Sequence, residues 1–248
     1  MVFSSPELNL AARPESADGT LVARSLTKTF GDATGQPVRA LDGVSLTIPA
    51  GQSISIMGPS GSGKSTLLHC LAGVLLPDSG DVSLGGDPVS LAGDAERSAL
   101  RLRRFGFVFQ DGQLLAELPA DENVALPLLL AGVPRRAALA QARAWLGRLG
   151  LAGMERRRPG ELSGGQAQRV AVARALVHGP AVVMADEPTG ALDQATGAEV
   201  MGVLTSAAAV IGASLVLVTH DASVAAWCER HLVILDGRID SDRSGVLR

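Results

Sequence analysis

The stretch "GPSGSGKST", Gly58 to Thr66, decides how the rest of the chain is read. Gly58 through Ser65 spell Gly-x-x-x-x-Gly-Lys-Ser, directly after the apolar run "SISIMG" (Ser53 to Gly58) and before a helical pattern over Lys64 to Leu75. Strand, glycine-rich turn and helix in that order make a phosphate loop. The glycines let the backbone N–H groups of Ser60, Gly61, Ser62 and Gly63 converge on a β-phosphate, and the helix start adds its positive end. Lys64 is expected to reach the β- and γ-phosphates, Ser65 to offer its hydroxyl to Mg²⁺, and Thr66 to touch the α-phosphate. Of 22 basic residues only Lys28 and Lys64 are lysines. A chain that otherwise uses arginine keeps an ammonium where a compact cation has to sit among phosphates.

Outward from this loop, "AVVMAD" (Ala181 to Asp186), "SLVLVTHD" (Ser214 to Asp221) and "HLVILDG" (His231 to Gly237) are near-continuous apolar runs. Like "SISIMG", they read as parallel strands covered on both faces. "FGFVFQ" (Phe105 to Gln110) is a fifth strand, and helices are expected over Ser163 to Val177 and Gln194 to Ile211. Strands alternating with helices mean an α/β fold. Before them, "LVARSLTKTF" and "RALDGVSLTI" alternate and are punctuated by turns, as in a small antiparallel layer. Residues 93–164 are rich in Ala, Leu and Arg and are read as a helical subdomain inserted into the core, which takes 21–92 and 165–248. Residues 1–20 read as a polar, mobile tail without a secretory signal.

Bulk composition narrows the function classes. The 248 residues suffice for one large domain. No uninterrupted apolar run is long enough to cross a bilayer, the longest being "VALPLLLAGV", Val124 to Val133. A net charge of −3 gives no global field favouring nucleic acid, and the clusters Arg101, Arg103, Arg104 and Arg156 to Arg158 read as solvated faces. Cys70 and Cys228 read as small buried apolar residues of a reducing compartment.

Three strand ends carry chemistry. Asp186 and Glu187 end "AVVMAD", and ligands of open parallel sheets bind at that end. Asp186 is expected to hold the magnesium and Glu187 to polarise an attacking water, although Asp186 alone would also serve as a helix cap. His220 ends "LVLVTH", where an imidazole would bond a γ-phosphate; a lone histidine also serves structure. Gln110 ends "FGFVF", and its amide can touch magnesium and the attacking water.

"ELSGGQAQRV", Glu161 to Val170, opens a second helix with serine and two glycines, again the chemistry of an anion site. One cradle saturates one triphosphate. The second is therefore expected to meet a γ-phosphate held by another copy of the chain.

"LSGGQ" followed by "RVAVARAL" resembles the signature of ATP-binding-cassette (ABC) ATPases. The order phosphate loop, Gln110, signature, "VVMADEPTGALD" and His220 is similar too, so the resemblance spans about Leu21 to Gly237. It implies the ABC form of the phosphate-loop (RecA-like) fold and a head-to-tail dimer sandwiching two ATP molecules, with Ser163, Gly164, Gly165 and Gln166 closing the partner's site. It also places Asp193 at the loop crossing the dimer interface. Phe30 falls where the family has an aromatic that stacks on adenine; as a residue it serves equally in a core. "RALDGVSLTI", "ENVALPLLLAGV" and "MADEPTGALD" look like the branch serving lipoprotein release, macrolide-type export and cell division. That branch implies a separate permease and a peripheral place on the cytoplasmic face of the membrane. Two departures stand out: "DGQLLAELPADENV" follows Gln110 where the branch has an aromatic and Asn nearby, and Ala191 replaces the common Ser or Asn. A mechanical regulator of extracytoplasmic enzymes, or a soluble ATPase of DNA repair or cofactor assembly, would share the motifs. The repair form needs a long coiled coil, and no heptad run of that length is present.

Overall fold

A computed structural model of the chain describes residues 19–31 and 36–245. The tail expected over 1–20 lies outside the described residues apart from its last two. An antiparallel layer comes first: β1 (Leu21–Gly31) pairs with β2 (Pro37–Ile48) and later with β4 (Ser79–Leu84), which is edged by the two-residue β5 (Asp87–Pro88). Between them the chain enters the core through β3 (Ser53–Met57) and α1 (Lys64–Leu71). It continues through α2 (Asp94–Arg104), β6 (Phe105–Phe109), α3 (Ala120–Leu130), α4 (Arg135–Arg148) and α5 (Gly164–Leu176). It closes with β7 (Val182–Asp186), α6 (Gln194–Ile211), β8 (Ser214–Val218), α7 (Ala222–Ala225), β9 (Arg230–Leu235) and β10 (Arg238–Ser244).

The core sheet runs β10-β9-β3-β8-β7-β6. All its pairings are parallel except the β9–β10 hairpin. Its central strands read as continuous apolar runs because each face meets a different core. Val182 and Met184 join Leu67, Leu68 and the antiparallel layer on one face. Val183 and Ala185 join α5, α6 and the helical subdomain on the other. The buried thiols Cys70 and Cys228 are free, and burial pushes them up to about 11 and about 12, as fits small apolar residues.

Two expectations need adjustment. The span 93–164 is not uniformly a helical subdomain. β6 lies inside it yet pairs with β7 as the edge strand of the core sheet, so the inserted helices are α3 and α4. Trp145, Leu146 and Val124 share a buried cluster with Val183, so the insertion has no separate core. The bilayer criterion also missed α6, whose 18 residues are long and apolar enough to cross a membrane by length and composition. Its Ala, Gly and Thr dilute any uninterrupted run. In the fold α6 lies on the sheet, with Val200, Met201 and Leu204 fully buried.

Candidate functional site

Strand register builds the site. Phe109 stands opposite Asp186, Asp186 opposite Val218, and Val218 opposite Ile56. The residues that follow this row are therefore brought to one rim: Gln110, Glu187, Thr219 with His220, and the turn from Met57 into the phosphate loop. Parallel strands end together at one edge, where the backbone is free to face a ligand.

The phosphate loop is seated on backbone. A Cβ on Gly58 would fall 2.2 Å from the Ile234 carbonyl oxygen, and one on Gly63 2.2 Å from that of Ala40. Gly63 has φ +103°, a region open to glycine but not to a side chain. The Gly237 amide donates to the Ser62 carbonyl at 3.1 Å, tying the loop to the β9–β10 turn. Ser60, Gly61 and Ser65 remain exposed, and no side chain caps α1, so its first amides are left for a ligand. Lys64 Nζ donates to the carbonyls of Gly58 (2.9 Å) and Pro59 (2.8 Å), which holds the ammonium inside the loop. Ser62, 4% exposed, has a buried hydroxyl that finds no partner among the described residues and lies against Gly58, where a Cβ would stand 2.7 Å from its oxygen. Thr66 lies half-buried in the first turn of α1.

These features fit a triphosphate. The strand end beside them fits a hard cation. Burial pushes the Asp186 carboxyl above its usual range, opposed by the adjacent Ser65 hydroxyl. A half-buried carboxylate and a hydroxyl suit an octahedral ion that takes its remaining oxygens from phosphate and water. Asp186 caps no helix, since α6 starts at the Asp193 cap.

Glu187 is the strained residue of the rim. Its φ of +46° is left-handed, a conformation that costs a non-glycine residue on the order of 1–3 kcal/mol. Three donors hold its carboxylate: Thr219 Oγ1 to Oε2 at 3.1 Å, the His220 amide to Oε1 at 3.1 Å, and His220 Nδ1 to Oε1 at 2.7 Å. The imidazole is 74% exposed, and the Glu187 carboxylate beside it raises its pKa above the ordinary value. Thr219 is 1% exposed. It was not singled out from sequence, and only the pairing of β8 with β7 reveals its role.

Gln110 packs onto the turn after Glu187. A Cβ on Gly190 would stand 3.0 Å from the Gln110 Nε2, so this glycine seats the amide. That contact, too, has no local signal in the sequence. The signature residues have their neighbours elsewhere. Ser163 caps α5 by accepting from the Gln166 amide at 3.3 Å, while Gln166 Oε1 accepts from the Ser163 amide at 3.0 Å. Side chains at Gly164 and Gly165 would meet Leu192 and Thr196 at 3.1 Å and 2.4 Å, so these glycines admit the Asp193 turn. Asp193 caps α6, accepting from the Thr196 amide at 3.0 Å and its hydroxyl at 2.7 Å. Phe30 is no core residue. It is 42% exposed at the end of β1, with the Lys28 ammonium 5.7 Å from its ring centroid.

A phosphate cradle, a half-buried aspartate beside the loop serine, and a poised glutamate at the next position define an ATP-hydrolysing phosphate-loop protein. Comparison with known proteins narrows the class. Residues 41–190 match the family model described as ABC transporter. The chain is 46% identical to the lipoprotein-releasing system ATP-binding protein LolD of Geobacter metallireducens, over 90% of this chain and 98% of that one. It is also 46% identical to the macrolide export ATP-binding/permease protein MacB of Nitrosomonas europaea, over 88% of this chain but only 33% of that protein. The chain thus spans about a third of the MacB relative and nearly all of the LolD relative. Among solved structures, the dimeric post-hydrolysis state of the ATP-binding cassette MJ0796 bound to ADP and Pi superposes with a TM-score of 0.81. That match has 36% identity and covers 90% of this chain and 98% of that one. The chain belongs to the ABC transporter family.

Proposed function

We infer that this chain works as a pair of identical subunits that close around two Mg-ATP molecules and drive a separate integral membrane permease from its cytoplasmic face. The observation that carries the reading is Glu187, held in a strained backbone by three donors at the strand end that also presents Asp186, beside Ser65 of α1. The phosphate loop binds the β- and γ-phosphates through the loop and α1 amides and Lys64. Ser65, Asp186 and Gln110 would hold Mg²⁺, which supplies charge neutralisation at the phosphates. Glu187 orients the attacking water and accepts its proton as the bond between the γ-phosphorus and the ADP oxygen breaks. His220 holds Glu187 and faces the γ-phosphate.

Ser163, Gly164, Gly165 and Gln166, with Asp193 beside them, close the nucleotide of the second copy. The dimeric assembly of MJ0796 supports this, as does a second serine- and glycine-opened helix start, exposed at Ser163 and Gly164, next to the Asp193 turn. Exposed Phe30 offers a ring face to adenine. The permease docks in a groove of about 470 Å³ between β6 and α3, lined by Val74, Arg101, Phe107, Phe109, Pro127 and Leu130. Leu115 is 47% exposed on the loop between β6 and α3, whereas Leu114 packs against the core.

Glu187→Gln tests the reading. It keeps the shape and removes the base, so ATP binding persists while turnover falls by roughly 10²-fold or more, the scale of a positioned general base. Gel filtration with ATP then finds dimers of the substituted protein. Monomer alone, or a wild-type rate, contradicts the proposal.

A further inference from the structure

Helix α5 starts at the signature and runs beneath the edge strand that ends at Gln110. Its side chains reach the backbone of that strand and its loop at several points. Gln168, 3% exposed, donates from Nε2 to the Phe109 carbonyl at 2.9 Å. Arg174 donates from its two terminal nitrogens to consecutive carbonyls, Gly112 at 2.6 Å and Gln113 at 2.8 Å. The backbones are in contact as well, since a Cβ on Gly106 would fall 2.1 Å from the Ala175 carbonyl oxygen.

The Arg174 guanidinium is an expensive group to place there. Burial lowers its pKa, and among the described residues it pairs with no carboxylate. What it holds is unusual. Gly112 and Gln113 are consecutive left-handed residues, at φ +65° and +47°, and Gln113 has no glycine freedom to reach that region cheaply. A strained turn persists only where its surroundings over-determine it, and the planar fork on two successive carbonyls does so. The turn begins two residues after Gln110.

We propose that Gln168 and Arg174 are positioning residues for Gln110, clamping its loop to the signature helix so that the amide and the signature move as one body. The nucleotide in one copy thereby senses, through Gln110, the helix offered to the nucleotide of the other. The inference rests on the reading of Gln110 as a group that contacts magnesium and water, and deepens it.

The test uses the full chain with Arg174→Met, which roughly keeps the length and removes the donors, and Arg174→Lys, which keeps the charge but lacks the planar two-nitrogen fork. Arg174→Met should lower kcat by about tenfold to a hundredfold, the scale of a misplaced catalytic contact, with ATP affinity changed by less than about twofold. The Mg²⁺ concentration for half-maximal rate should rise, and Arg174→Lys should recover part of both effects. Gln168→Leu should act in the same direction. In a Gln110→Ala background, Arg174→Met should cost no more than about a further twofold, because residues that act through one another are not additive. A full, unchanged loss in that background overturns the proposal, since Arg174 then acts elsewhere. Hydrogen exchange over residues 110–116 provides a readout independent of Gln110 chemistry. Faster exchange in Arg174→Met supports the clamp, and unchanged exchange refutes it. Faster exchange with wild-type kinetics in both Arg174→Met and Gln110→Ala would retain the clamp and refute the catalytic reading of Gln110.

Discussion

Thr219→Val removes one hydroxyl and little else. The threonine is buried at the end of β8, and its Oγ1 makes two hydrogen bonds. It donates to Glu187 Oε2 at 3.1 Å and accepts from the Asp221 amide at 3.1 Å. Valine nearly matches the shape, so the cavity cost is small, and two effects remain. The Asp221 amide loses its partner, which costs stability by about 1–3 kcal/mol if water does not replace it. Glu187 loses the only one of its three donors that bonds Oε2, leaving both remaining bonds on Oε1. A hydrogen bond to a charged group contributes about 1.5–3 kcal/mol. If the carboxylate must stay fixed as the proton moves, half or more of that appears in the barrier, so kcat should fall by about three- to a hundred-and-fiftyfold. ATP affinity should not change, because the hydroxyl bonds Glu187 and the Asp221 amide and no group of the phosphate loop. The assay is phosphate release at saturating Mg-ATP together with calorimetric ATP binding, on protein that melts cooperatively. A wild-type kcat would refute the role of Thr219, and a loss of ATP affinity with kcat intact would place its effect on binding.

Other outcomes follow from the same geometry. Lys64→Ala and Ser163→Arg should each abolish ATP-driven dimers alone, whereas an equimolar mixture should restore them through one intact shared site; cross-linking no higher in the mixture than in either variant rejects the shared site. The His220 pair depends on pH. Glu187 raises the imidazole pKa above the ordinary 6.5, so its contribution to stability is full below that value and is lost as pH rises through the higher folded value. Melting curves of wild type and His220→Gln should therefore converge at alkaline pH, and a constant difference across the range contradicts the pairing. Leu115→Asp combined with Leu130→Asp should release the protein from membranes bearing its permease while basal ATPase persists; intact membrane association places the contact elsewhere.

The positions that a reader of the chain can name are those where local chemistry is unambiguous. Gly58 to Ser65 demand a strand before and a helix after, because glycines at those intervals serve no other turn so well. The runs Ser53 to Met57, Val182 to Asp186 and Ser214 to Val218 carry apolar residues on both faces, broken only by small serines and the terminal Asp186, and a strand with two buried faces asks for that. Asp186, Glu187, Gln110 and His220 were legible as the polar ends of such runs. Boundaries inside residues 93–164 were less so, because an Ala-, Leu- and Arg-rich helix reads alike whether it packs on a sheet or on other helices.

What only the tertiary structure decided is which strand ends meet. Register sets Phe109 beside Asp186 and Asp186 beside Val218, and no local preference encodes a pairing between strands so far apart in sequence. From that pairing come the Thr219 and His220 donors on Glu187, and the left-handed backbone they hold in place. The same packing puts Gln110 on Gly190 and brings Arg174 to the loop of residues 112 and 113. A sequence lists the groups that can bond; the distance between them is set by the packing of faces, and that is a property of the whole chain.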